Sequence, residues 1–290
     1  MPPRPHILVV NGRKVRQPVF VIGAPHSGAD LVGRALKQSP GFHLTIGQDA
    51  VQSVVYAFAR SPSIHRGHSS AAATVLRDAF AQAWQVNATS CLTCSPVCRE
   101  AGGVHGPATC VADRDIVRYG DASRDLMYCA DGLVAAFADA KLIQIIRDGR
   151  DVVAAMLADP QELSWFKPGM ANVDAEFPNP FYGVETDHDQ ATWPELSPAG
   201  KAAMRWRGAV RAMARLRTAM SAEQLTTVRY EDLIRHPSHC AAALSEFVGS
   251  QVQPVQARRP QSWRKLLTAA QLNEFEVVAG PDLLRVGYGT

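Results

Sequence analysis

Four groups of residues in this sequence have the types and spacing for chemistry. The first is the stretch from Pro18 to Leu36, where the apolar run Val19-Phe20-Val21-Ile22 leads into Gly23, Pro25, His26, Ser27 and Gly28. Beyond the glycines, Leu31, Val32, Ala35 and Leu36 recur at helical spacing. A buried strand, a glycine turn and a helix start point backbone N–H groups at one spot, which is an anion site and most often a phosphate site. Gly23 and Gly28 have the spacing of the nucleotide loop G-x-x-x-x-G-K-S/T, but Ala29 and Asp30 stand where Lys and Ser/Thr belong, so an ATPase or GTPase reading fails. The second group is Cys91, Cys94, Cys98 and Cys110, within twenty residues and with His105 among them. Cysteines two residues apart can chelate one ion, and structural zinc takes four such N/S ligands. The alternatives are free buried thiols or a redox pair at Cys91 and Cys94. The third group is Arg147-Asp148-Gly149-Arg150-Asp151, directly after the mostly apolar stretch Ala140 to Ile146, read as a buried strand. The fourth is Asp49, a carboxylate standing before the helical pattern of Val51, Val54, Val55 and Phe58, where an Asp commonly caps a helix start.

The elements that must position these groups are legible in outline. Strands are predicted around Val19–Ile22, Phe42–Ile46, Ala140–Ile146 and Leu225–Tyr230, with a short extra one around Ile7–Val10. Helices follow the glycine loop, Asp49, residue 74, residue 125, Arg150, residue 199 and Tyr230. Strands that read as continuous apolar runs and alternate with helices predict an α/β fold with a central parallel sheet flanked by helices. Ligands of such sheets bind at the carboxyl ends of strands, which brings the Arg147 turn near the glycine loop. Arg207, Arg211 and Arg215 form a stripe opposite Met213, Leu216 and Met220, read as a solvated face.

The chain has 290 residues, 47% of them hydrophobic, and a net charge of +3. That is enough for one large core. The charge is small and no Lys/Arg run exists, which argues against nucleic acid as a partner. No apolar stretch is long enough for a membrane span. The short run Ile7–Val10 does not make a signal-peptide core, so the reading is a cytoplasmic protein with reduced cysteines.

The glycine loop resembles the 5′-phosphosulfate loop of bacterial sulfotransferases, roughly G-x-x-R/K-S-G-T-T-x-L, through Gly23, Ser27, Gly28 and the helix that follows. His26 replaces the loop cation, and Ala29-Asp30 replace the two threonines. The resemblance continues in Tyr119–Ser123, read as a small-residue turn, and in the RDGRDVV segment. It then extends to Tyr230-Glu231-Asp232-Leu233 and to the Gly287-Tyr288 pair near the end. It runs from about residue 18 onward in a single domain, with 87–110 and 158–195 as insertions. It implies a P-loop-like sulfotransferase fold and the donor 3′-phosphoadenylyl sulfate (PAPS), with sulfuryl transfer to a hydroxyl or amine of a small-molecule acceptor. By the same resemblance His26, Ser27, Gly28, Ala29, Asp30 and Leu31 surround the 5′-phosphosulfate, Arg147 binds the 3′-phosphate and Tyr230 contacts the adenine. His26 and Asp49 are then the catalytic candidates. The serine that follows the 3′-phosphate arginine by eight residues in the family is Ala155 here. These departures keep two alternatives open: a repurposed donor site that expels sulfate or phosphate from its substrate, and a binding protein without catalysis. Residues 158–200, with Lys167 and His188, read as a lid, an acceptor wall or an ordinary surface insertion.

Overall fold

The computed structural model describes residues 7–66, 69–87, 89–257 and 262–289. Its centre is a five-stranded sheet of β3 (Val19–Gly23), β4 (Phe42–Thr45), β5 (Arg118–Asp121), β6 (Lys141–Ile146) and β7 (Leu225–Arg229), in the order β4-β5-β3-β6-β7. Every pairing is parallel. A hairpin of β1 (Val9–Val10) and β2 (Arg13–Lys14) stands apart from it. The helices are α1 (Ala29–Lys37), α2 (Asp49–Arg60), α3 (Ser63–Arg66), α4 (Ser69–Ala83), α5 (Pro96–Ala101), α6 (Ala130–Ala136) and α7 (Gly149–Leu157). They continue with α8 (Pro160–Ser164), α9 (Asp187–Thr192), α10 (Pro198–Ala219), α11 (Tyr230–Arg235), α12 (Pro237–Val248) and α13 (Ala269–Arg285).

β3 and β6 are buried because both faces of the sheet are covered. Phe20 and Ile22 join one core with α4, α6 and α10, while Val19 and Val21 join a second with α1, α11 and α12. All five residues of β3 are buried, which is why its sequence is a continuous apolar run rather than an alternating one. The glycine loop leaves this strand at the middle of the sheet and feeds α1.

Several expectations need correction. Tyr119–Ser123 is not simply a turn: Arg118–Asp121 forms β5, which pairs with β3 and β4. The mix of Arg, Gly and Asp hid that strand. β7 is an edge strand of half-buried and exposed residues, not a buried one. The helix expected at 125–138 is a 3₁₀ turn, Leu126–Cys129, followed by the short α6. The arginine stripe of α10 is not solvated at its start. Arg207 is buried and pairs with Asp189 at 2.6 Å, and Arg211 reaches Asp282 at 3.0 Å. Carboxylates on α9 and α13 cover that face.

Residues 158–195 are also no loose surface addition. Phe181, Tyr182 and Val184 are fully buried and belong to the larger core. Among the described residues, no helix is long and apolar enough to cross a membrane.

Candidate active site

The glycine loop is built by tight backbone geometry. Ser27 N–H donates to the Ala24 carbonyl at 3.1 Å, and the Ser27 hydroxyl donates to the same oxygen at 2.6 Å. Ser27 is therefore buried as the brace of the loop. Gly28 has φ +97°, and a Cβ there would sit 2.5 Å from the Tyr230 ring, so conformation and contact both require glycine. Gly28 is the cap residue of α1, and no side chain caps that helix start. The first-turn N–H groups of a helix have no partners of their own, and the helix dipole favours an anion beside them.

Arg147 comes to this loop from the end of β6, the strand next to β3. Its Nη1 donates to the His26 carbonyl at 2.7 Å, and its guanidinium lies 4.3 Å over the Tyr230 ring. Tyr230 opens α11 directly after β7. Three segments far apart in sequence therefore meet at one loop. Arg147 is buried and its Nε has no hydrogen-bond partner. A buried guanidinium with an unused donor suits an anionic oxygen, because leaving such a donor unpaired is costly. The salt-bridge alternative for Arg147 does not hold, since Asp148 pairs with Arg150 at 2.8 Å and Asp151 accepts from Trp263 N–H.

On the other side of the loop lies a cavity of about 340 Å³, lined among others by His26, Ala29, Asp30, Tyr56, Ser123 and Arg124. His26 has φ +61°, and its Nε2 stands 3.2 Å from Asp159 Oδ2. Burial, then the charge of Arg124, pushes the His26 pKa below the usual imidazole value. That shift favours the uncharged ring, and Nε2 is buried without a hydrogen-bond partner. The permanent positive charge here is Arg124, whose Nη1 contacts Asp159 Oδ2 and Glu162 Oε1, both at 3.1 Å. Behind it the buried Arg205 pairs with Asp125 and Glu162, both at 2.7 Å. Burial raises the Glu162 pKa to about 7. His26, Asp159 and Glu162 lie close enough together to hold an ion. The two arginines already occupy the space on these carboxylates, so a cation there would meet like charge.

The candidates from sequence thus separate. His26, Ala29 and Asp30 line the cavity, and Arg147 and Tyr230 join them around the loop. Leu31 instead packs partly into the smaller core. Asp49 is exposed at the first position of α2 and does not line the cavity, and the helix cap is Gln48, which accepts from Val51 N–H. Lys167 and His188 are exposed and away from the lining. Ala155 is on α7. Arg124, Asp159 and Tyr56 escaped the sequence reading. The one signal for Arg124 was its place after a strand end, and that strand was not recognised.

The profile of the sulfotransferase family matches residues 18–254, which is most of the chain. This chain belongs to the sulfotransferase family. Similar solved structures include the sulfotransferase domain of the Synechococcus PCC 7002 olefin synthase, at 16% identity and TM-score 0.48, covering 90% of this chain and 94% of that one. A sulfotransferase from Mycobacterium avium has 13% identity and TM-score 0.46, over 95% of this chain and 78% of that one. One from Alicyclobacillus acidocaldarius has 13% identity and TM-score 0.43, over 92% and 96%. No curated protein matches. The family membership fits the sulfotransferase-like α/β sheet, with the loop, Arg147 and Tyr230 gathered at its carboxyl edge.

Proposed function

We propose that this protein transfers a sulfuryl group from PAPS to a hydroxyl or amine of a small molecule. The observation that carries the reading is the meeting of the uncapped α1 start, the unused Nε of the buried Arg147 and the Tyr230 ring around one loop. The loop N–H groups would hold the 5′-phosphosulfate, Arg147 the 3′-phosphate and Tyr230 the adenine. The acceptor would enter the cavity on the His26 side. Sulfuryl transfer passes in line between two oxygens, so the protein's task is positioning and charge. Arg124 is the cation beside the loop, in place of the missing loop Arg or Lys. His26, which lines the cavity and whose uncharged form burial favours, would take the acceptor's proton as its oxygen or nitrogen attacks. Asp49 is exposed and outside the cavity lining, so His26 is preferred as that base.

The test is binding of adenosine 3′,5′-bisphosphate, the product left when PAPS gives up its sulfuryl group. It should raise the melting temperature of the protein by mass action. Arg147→Ala should weaken that binding by about 1.5–3 kcal/mol, the worth of a charged hydrogen bond to phosphate. Equal affinity in both proteins would remove the 3′-phosphate assignment, and no binding to either would remove the donor.

A second reading rests on Asp30. Its carboxylate lines the cavity from the first turn of α1, where the family has a threonine. In a repurposed site this carboxylate would hold a substrate ammonium or act as base while sulfate or phosphate leaves.

A further inference from the structure

Asp159 reaches the glycine loop from the start of the 158–195 insertion. It is the cap residue of α8, and its Oδ1 accepts from Gln161 N–H at 2.9 Å. The cap ties one carboxylate oxygen to the backbone and leaves Oδ2 for side chains. Two groups meet Oδ2: Arg124 Nη1 at 3.1 Å and His26 Nε2 at 3.2 Å. Burial alone would raise the Asp159 pKa, but Gln161 N–H and then Arg124 hold it below the usual carboxylate value. Asp159 is therefore an anion at neutral pH.

His26 is held at its backbone as well, because its carbonyl accepts from Arg147. Its side chain is 24% exposed, yet Nε2 is buried and lacks an aligned partner. The contact with Asp159 is close but needs a small turn of the ring to become a hydrogen bond. A bare Nε2 lone pair facing a carboxylate oxygen at this distance would repel it. A proton on Nε2 turns the same contact into an attraction and satisfies a buried polar atom. Nδ1 is then the ring nitrogen left for a molecule in the cavity.

We infer that Asp159 is the positioning residue for proton transfer at His26. It holds the proton on Nε2, presents Nδ1 to the cavity and stabilises the imidazolium that forms when Nδ1 takes a proton. The role rests on the sulfotransferase reading above. In that reaction the acceptor's oxygen or nitrogen bonds to sulfur. The bond from sulfur to the donor's bridging oxygen breaks, and its electron pair leaves with the bisphosphate. The acceptor's proton moves to Nδ1. Charged groups face the ring from four places: Arg124 after β5, Arg147 after β6, Asp30 on α1 and Asp159 at α8. The arginines disfavour the imidazolium and the carboxylates favour it. Among the described residues, Asp159 is the carboxylate within ion-pair distance of the ring. Arg124 keeps that carboxylate ionised and in place, while its own charge leaves the resting ring unprotonated.

The test reads the ring itself, by nitrogen NMR of the whole protein with isotopically labelled histidine and without donor or acceptor. His26→Gln identifies the signal to follow. The neutral ring should carry its proton on Nε2. In Asp159→Asn the proton affinity of His26 should fall about tenfold or more, since an opposite charge in contact is gone. Asp159→Glu should restore most of it, and Asp30→Asn should lower it by less. A neutral ring protonated on Nδ1 would overturn the assignment, and that measurement needs no variant at Asp159. So would an unchanged titration in Asp159→Asn, or a fall in Asp30→Asn as large as in Asp159→Asn. Bisphosphate binding is read separately. Its absence would remove the sulfotransferase reading and leave the His26–Asp159 pair, whereas bound bisphosphate with the proton on Nδ1 would remove the pair and leave the donor.

Discussion

Asp30 is the residue on which the chemistry turns. It stands in the first turn of α1, where the backbone N–H groups and the helix dipole attract an anion. A carboxylate there competes with a donor phosphosulfate for the same groups. For a PAPS enzyme it is a tolerated handicap, so Asp30→Thr should tighten donor binding with turnover retained. For a repurposed site it would be a working group, and Asp30→Thr should abolish turnover without creating PAPS-dependent activity. Donor affinity and product formation measured side by side in both proteins separate the two. His26 shows a similar lesson at the same scale. A histidine in the place of a loop cation suggests a positive charge, yet burial and Arg124 favour its uncharged form. The permanent charge lies on its neighbour, and on the proposed reading the imidazole would serve proton transfer.

The element that controls donor binding is the turn from β3 into α1. Its Gly28 has a positive φ and touches Tyr230 through the space where a Cβ would be. Tyr230 in turn carries Arg147 on its ring face. Gly28→Ala should therefore push Tyr230 and Arg147 out of register together. We expect loss of bisphosphate binding at least as large as in Arg147→Ala, with the sheet intact by circular dichroism. Binding equal to that of the unmodified protein would show that the turn has room the structure does not give it. The adjacent strand end carries a second constraint. Asp121, fully buried on β5, accepts from Thr45 and from Ser123 N–H, which sets the path of the turn that delivers Arg124.

At the scale of the molecule, Arg205 ties α10 to two segments that line the cavity, the turn after β5 and α8. It sits on α10 and pairs with Asp125, after β5, and with Glu162 on α8, all fully buried side chains. Its guanidinium also lies 3.9 Å from the Phe181 ring centre. Arg205→Met would fill the space but leave two carboxylates buried with less compensation. Breaking a buried pair on one side costs about 3–5 kcal/mol, so a large fall in the denaturation midpoint is expected. A change below about 1 kcal/mol, the range of exposed pairs, would mean that water already reaches this cluster.

The amino-acid sequence by itself determined the central strands and the loop. Val19–Ile22 and, but for Gln144, Leu142–Ile146 are apolar because both of their faces are covered, and that pattern needs no knowledge of partners. Gly23, Gly28, Arg147 and Tyr230 carried the family resemblance for a similar reason: each is held by local geometry or by its place after a strand. Tertiary structure alone decided what surrounds them. β5 has no apolar run, because its Arg118, Gly120 and Asp121 answer to neighbours on both sides of the sheet. Arg124 and Asp159 reach His26 only through the fold, 35 residues apart from each other along the chain. Asp49 stands exposed at the first position of α2, outside the cavity lining. Arg207 is polar in type but buried in place, since Asp189 arrives from another helix to pair with it. Periodicity reports which face of an element is covered; it is silent on which charge from elsewhere in the chain comes to cover it.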